Sequence, residues 1–211
     1  MGIHEPFNAV SHGLGAVLSL VGLVYLVYQA EGAMATAAMA VYGASLTVLY
    51  LASTLHHGVP GEGRVRRVLR RLDHTAIFLL IAGTYTPVAL LALPAGWGWT
   101  LFGIVWGLTA VGIVTRNVFL DLPRWAVVGI YLAMGWTALV ALKPMVSVFS
   151  WSALAWLAGG GLAYTIGAII YATERPDPMP ETVGAHGIWH LFVLAGSAFH
   201  YVFIAGYVSH I

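Results

Sequence analysis

The chain has 211 residues, 60% of them hydrophobic and only 8% charged, with a formal net charge of +1. A soluble domain carries about 25% charged residues, so this balance, with a mean hydropathy of +0.86, excludes a soluble globular protein. It also leaves no basic tail for nucleic acid. Cysteine is absent, which removes disulfides, thiolate metal ligands and cysteine nucleophiles; a transition metal here must be held by histidine, with help from carboxylate.

Taken in order, the chain opens with residues 1–7, which carry Glu5 and no Lys or Arg. The expectation is therefore a retained first span rather than a cleaved signal. Apolar stretches of about 17 to 25 residues are long enough to cross a bilayer as helices. Such stretches lie at 12–28, 35–57, 72–93, 98–115, 125–142, 150–172 and 185–209. The separators carry turn chemistry: Glu31-Gly32, Gly58 to Gly61, Pro94 to Gly96, Leu122-Pro123, Lys143-Pro144 and the proline-rich segment from Arg175 to Pro180. Pro87 is expected to kink the third span, with Thr84 and its neighbours answering the freed carbonyls. Trp97, Trp99, Trp125 and Trp151 fall near span ends, where interfacial anchors sit. Gly159-Gly160-Gly161 suits close helix packing. The fold class is an all-α membrane protein, a bundle of seven transmembrane helices forming one domain over 1–211.

The arginines orient it. With seven spans, Arg64, Arg66, Arg67, Arg70, Arg71, Arg116, Arg124 and Arg175 fall on the side of the N-terminus, and Lys143 alone falls opposite. By the positive-inside rule the N-terminus is cytoplasmic and the C-terminus outside.

On that topology the polar residues gather in one leaflet. His186 and His190 are four apart, one above the other on a helix face, and enter the seventh span from the cytoplasmic side. An HxxxH pair alone is weak evidence in a chain with nine histidines. His57 ends the second span on the same side, with Ser53 one turn deeper. Asp73 opens the third span, and Glu5, Asn8 and His12 are spaced i, i+3, i+7 at the start of the first. Three histidines plus a solvent position make an open zinc site of catalytic type. The ligands expected are His57, His186 and His190. Asp73 is placed to orient or deprotonate water, its position at a helix N-terminus favouring the ionised form; a plain N-cap beside Arg70 and Arg71 is its other reading. Ser53 either holds the carboxylate or water, or bonds back to its own helix carbonyl. His56 and His74 are expected to diverge from the site, His200 to lie about 20 Å deeper as a satisfied buried group, and His4 and His210 to be solvated. His12 is either a donor beside the site or a packing group.

Glu5-Pro-Phe-Asn8 with His12, Ser53-Thr-Leu-His-His57, the run from Leu72 through Asp73 to Pro87, and His186-Gly-Ile-Trp-His190 together resemble the hemolysin III proteins, the prokaryotic branch of the progestin and adipoQ receptor family. The resemblance spans essentially the whole chain. It implies seven helices in the plasma membrane, a cytoplasmic N-terminus, and one zinc held by His57, His186 and His190 with Ser53 and Asp73 beside them. Family members are similar to alkaline ceramidases, which hydrolyse lipid amides. The departure is Gly187-Ile-Trp189, where receptor members carry glutamine and phenylalanine between the histidines, and it bears on the shape of the pocket. Nothing in the residues supports a lytic toxin. The functional expectation is a metal-dependent hydrolase of lipid amides or esters serving membrane lipid homeostasis, with membrane lipids as partners. The alternative is a non-enzymatic seven-helix sensor or transport-related protein with structural zinc.

Overall fold

The computed structural model describes residues 3–118 and 122–211, and seven helices in them are long and apolar enough to cross a membrane. They are Pro6–Gln29, Ala33–Gly58, Gly63–Ala92, Ala95–Val118, Arg124–Val148, Trp151–Thr173 and Gly184–Val208, called here the first to seventh spans. Each span is only partly buried. The outward faces carry Val, Leu, Ile and Trp side chains, including Val10, Val17, Val24 and Trp151, as expected of helices whose solvent is lipid. The first span packs on the second and the second on the third. The sixth packs on the seventh, and the seventh returns to the first, closing a ring. The shared core holds Tyr42, Tyr50, Phe203 and Met39.

Three boundaries move by six residues or more from the sequence reading, and the first span begins at Pro6 rather than at 12. The third span begins at Gly63, so Arg64 to Arg71 form its opening turns rather than a preceding loop. Arginine is a good helix former, and here Val65, Val68, Leu69 and Leu72 give those turns an apolar stripe at helical spacing. The fifth span runs through Lys143-Pro144 to Val148 instead of stopping at 142. A proline lacks the N–H and crowds the preceding turn, and this span answers by tightening into a 3-10 segment at Trp136–Ala141 before an α-turn resumes at Leu142–Val148. Tyr85 of the third span stitches that break. Its hydroxyl donates to the Gly135 carbonyl at 2.6 Å and accepts from the Ala138 N–H at 2.7 Å. Backbone groups released inside a membrane need such a partner.

Pro87 acts as expected on the third span, which passes into a π-helical turn at Val88–Ala92. Thr84 and Thr86 bond the carbonyls of Leu80 and Ala82 at 2.8 Å. The fourth span crosses this turn closely enough that a Cβ on Gly98 would meet the Ala89 carbonyl oxygen, so only glycine fits there. Ser150 caps the sixth span by accepting from the Ala153 N–H at 3.3 Å. Between the spans lies a cavity of about 960 Å³. It runs from Glu5, His57 and His186 at one end to Trp136, Leu142 and Met145 deep in the bundle.

Candidate metal centre

The N-terminal segment is docked on the end of the second span. The Glu5 N–H donates to the His57 carbonyl at 2.9 Å. Pro6 starts the first helix, and Glu5 precedes it without capping it. Its carboxylate turns sideways instead. Oε2 accepts from His57 Nδ1 at 2.6 Å and from Asn8 Nδ2 at 2.8 Å, while Oε1 meets Arg66 at 3.3 Å. The hydrogen bond from His57 holds the Glu5 carboxyl well below the usual carboxylate range, against the opposing effect of its partial burial. Arg66 donates also to the His56 carbonyl at 2.5 Å, tying the third span to the same corner.

That bond decides the His57 tautomer. With the Nδ1 proton committed to Glu5, the lone pair of Nε2 points the other way. His57 is 1% exposed, and its Nε2 is buried without a hydrogen-bond partner. Opposite it, His186 Nε2 and His190 Nε2 stand 3.1 Å apart. One ligand atom from each of the three residues falls within 4.8 Å of the others. A tetrahedral zinc with Zn–N of about 2.0–2.1 Å keeps its nitrogens about 3.3 Å apart, so the three imidazoles fit an ion. The orphaned nitrogen on His57 and the close pair on the seventh span both call for a shared partner of this kind. A carboxylate behind a metal-binding histidine is also a recurring arrangement, since it fixes the tautomer and raises ligand basicity.

Around this trio the other expected residues are placed as follows. His190 is 2% exposed, and its ring stacks on His12 at 3.7 Å between centroids. His12 Nδ1 and the Ser53 hydroxyl are 2.8 Å apart. Ser53 thus bonds across to the first span rather than back to its own helix, and it also faces Asp73. Asp73 lines the cavity beside His57. It is not at a helix start, however: the third span begins at Gly63, so neither the N-cap reading nor stabilisation by the helix N-terminus holds. His56 was expected to diverge. It is buried, and its ligand atom lies within 4.8 Å of those of His57 and Asp73. The 100° between successive helix residues turns it toward the third span rather than away from the site. His74 does diverge: its Nδ1 accepts from Arg116 Nε at 3.1 Å and its carbonyl from the Tyr131 hydroxyl. His200 lies deep, with Nε2 bonding the Leu157 carbonyl at 3.1 Å.

Sequence reasoning noticed Glu5 but gave it no role; the signal available was a carboxylate one helix start away from a candidate ligand. Tyr171, whose ring meets His186 edge-on at 5.3 Å, had no such signal. Arg124 lies over the Tyr171 ring and pairs with Glu174.

A seven-helix membrane protein with a largely buried three-histidine cluster at one end of a mostly apolar cavity is the class these observations define. Residues 2–201 match the family model described as haemolysin-III related. The chain is 41% identical over 207 residues to Hemolysin-3 of Bacillus cereus, covering 97% of this chain and 91% of that protein. It is 38% identical over 197 residues to the Hemolysin-3 homolog of Bacillus subtilis (strain 168), covering 92% and 89%. It is 28% identical over 207 residues to the human monocyte to macrophage differentiation factor, covering 95% and 83%. The chain belongs to the haemolysin III family.

Proposed function

We propose that this protein is a zinc-dependent hydrolase of lipid amides or esters, working in the cytoplasmic membrane with its site on the cytoplasmic side. The observation that carries the reading is the orphaned Nε2 of His57, aimed at His186 and His190 where an apolar cavity of about 960 Å³ begins. His57, His186 and His190 would hold the ion. When bound, zinc supplies Lewis acidity, polarising a carbonyl oxygen and acidifying water.

The chain's own residues supply the rest. Glu5 keeps the Nδ1 proton on His57 and so keeps Nε2 available. Asp73, beside His57 on the cavity wall, takes a proton from attacking water and returns it to the departing amine or alkoxide. Ser53, braced by His12, fixes the direction of that carboxylate. Ile77, Leu80, Ile81, Val193 and Leu154 line the cavity below and accommodate an acyl chain away from water.

The test is Asp73→Asn in purified protein, with zinc content, thermal stability and fatty acid released from a panel of ceramides and acyl lipids as readouts. The expected result is retained zinc and fold with hydrolysis reduced on the order of 10² to 10⁴. Absence of chelator-sensitive release from every panel member in the native protein would sink the enzyme reading and leave zinc as a staple between the second and seventh spans. Reporter fusions are expected to place residue 64 in the cytoplasm and residue 211 outside, as the arginine distribution requires; a cytoplasmic residue 211 would overturn the topology.

A further inference from the structure

Beyond the histidine centre, where the Tyr50 ring meets His12 edge-on at 5.0 Å, lies a second polar feature. Tyr50 donates to the Ser197 hydroxyl at 2.8 Å, and Ser197 and Tyr164 share a second hydrogen bond of 2.8 Å. Three hydroxyls bring three hydrogens, and these two bonds use two of them. Tyr50 is the donor in the first, so the unspent hydrogen belongs to Ser197 or Tyr164. Ser197 is buried, and among the described residues no carbonyl accepts from it. A buried hydroxyl hydrogen without an acceptor is costly. The favourable order is therefore Tyr50 to Ser197 to Tyr164, which leaves the Tyr164 O–H free at the cavity wall that Tyr164 lines.

His200 stands next to it, with ring centroids 5.4 Å apart, and lines the same cavity. Its Nε2 faces the Leu157 carbonyl. A carbonyl can only accept, so Nε2 carries the proton and Nδ1 is a bare acceptor. The position is built for this ring: a Cβ on Gly160 would collide with His200 Cδ2 and Nε2. A donor and an acceptor thus belong to neighbouring rings that both line the cavity, where Leu139, Leu142 and Val146 are among the apolar side chains.

We infer that Tyr164 and His200 form a hydroxyl-recognition site for the chain of a lipid bound in this cavity. One hydroxyl answers both groups, accepting from Tyr164 and donating to His200 Nδ1. A carboxylate or phosphate does not match, because it cannot donate to Nδ1 and its charge would be buried far from the arginines at the other end. Ten residues along the seventh span separate His190 from His200, or about 15 Å of helical rise. Extended chains advance about 1.2 Å per bond, so the hydroxyl belongs about a dozen bonds from the group held at the histidines. That distance rests on the proposed function, which places the lipid carbonyl there.

The experiment measures binding, not turnover. Octadecanoic acid and the same acid with a hydroxyl on its twelfth carbon are titrated into the detergent-solubilised protein, followed by tryptophan fluorescence. The native protein is expected to prefer the hydroxylated chain about tenfold. Tyr164→Phe and His200→Phe each reduce the preference to within about twofold. If His200→Phe does not fold, Tyr164→Phe decides. Equal affinity for the two chains in the native protein, no binding of either, or a preference that persists in the folded variants overturns the inference. A protein that hydrolyses lipids without this preference loses only the hydroxyl site, and one that keeps the preference without hydrolysis loses only the enzyme reading.

Discussion

Glu5→Gln isolates the role of the carboxylate behind His57. The change keeps length and shape but removes the charge that accepts from His57 at 2.6 Å and from Asn8 at 2.8 Å while facing Arg66 at 3.3 Å. The amide has one acceptor atom for these donors. If its oxygen serves His57, its NH2 confronts the guanidinium of Arg66; if it turns round, the NH2 confronts the His57 Nδ1–H. Either arrangement loosens the imidazole and weakens its basicity. Loss of such a partner costs about 10- to 100-fold in metal affinity, equivalent to about 1.4–2.7 kcal/mol. Because the ion binds the folded state, the same free energy is lost from stability when zinc is well above both dissociation constants. At about 2–4 °C per kcal/mol for a chain of this size, the midpoint should fall by about 3–11 °C in zinc. In excess chelator the gap should be smaller. The assay is competition against a chromophoric chelator, with melting curves with and without zinc, His57→Ala as the full-loss reference and Glu31→Gln, in an exposed turn, as the control. Native zinc affinity in Glu5→Gln, alongside loss in His57→Ala, would refute the reasoning: the carboxylate would then be a docking contact for the N-terminus and nothing more.

Tyr85→Phe removes the hydroxyl that serves Gly135 and Ala138 at the break in the fifth span; the expected loss is about 1–3 kcal/mol, with faster amide exchange confined to residues 135–141. A uniform exchange profile would argue against the stitch. Gly98→Ala drives a methyl into the Ala89 carbonyl and should cost about 1–3 kcal/mol, whereas Gly103→Ala, with open space around it, should leave the melting temperature unchanged or slightly raised. The pH dependence follows from Glu5, whose carboxyl is held below its ordinary value by His57. A depressed pKa contributes stability above the unfolded value of about 4.3 and loses it as pH falls below that. The melting-temperature gap between the native protein and Glu5→Gln, measured without metal, should hold steady above about pH 5 and close progressively in more acid solution; a gap independent of pH would show that charge is not the cause.

What the sequence determined by itself was the membrane class, the seven spans and the helix faces that meet at the site. Apolar runs of membrane-crossing length admit few other structures in lipid. The i, i+4 spacing of His186 and His190 is a local consequence of helical geometry, so their proximity needed no tertiary information. Ends of helices were harder. The arginine run at the head of the third span looked like a loop because hydropathy marks where lipid begins, not where a helix does, and Asp73 was misplaced with it. The fifth span passes Pro144 because a neighbouring tyrosine, far away in the chain, repairs the break. Only tertiary structure could decide the partners across spans: Glu5 on His57, Ser53 on His12 rather than its own carbonyl, His56 toward Asp73, and Tyr164 beside His200. Each depends on the rotation of one helix against another. That rotation is set by close packing at small residues such as Gly98 and Gly160, a property of pairs of surfaces that no single segment contains.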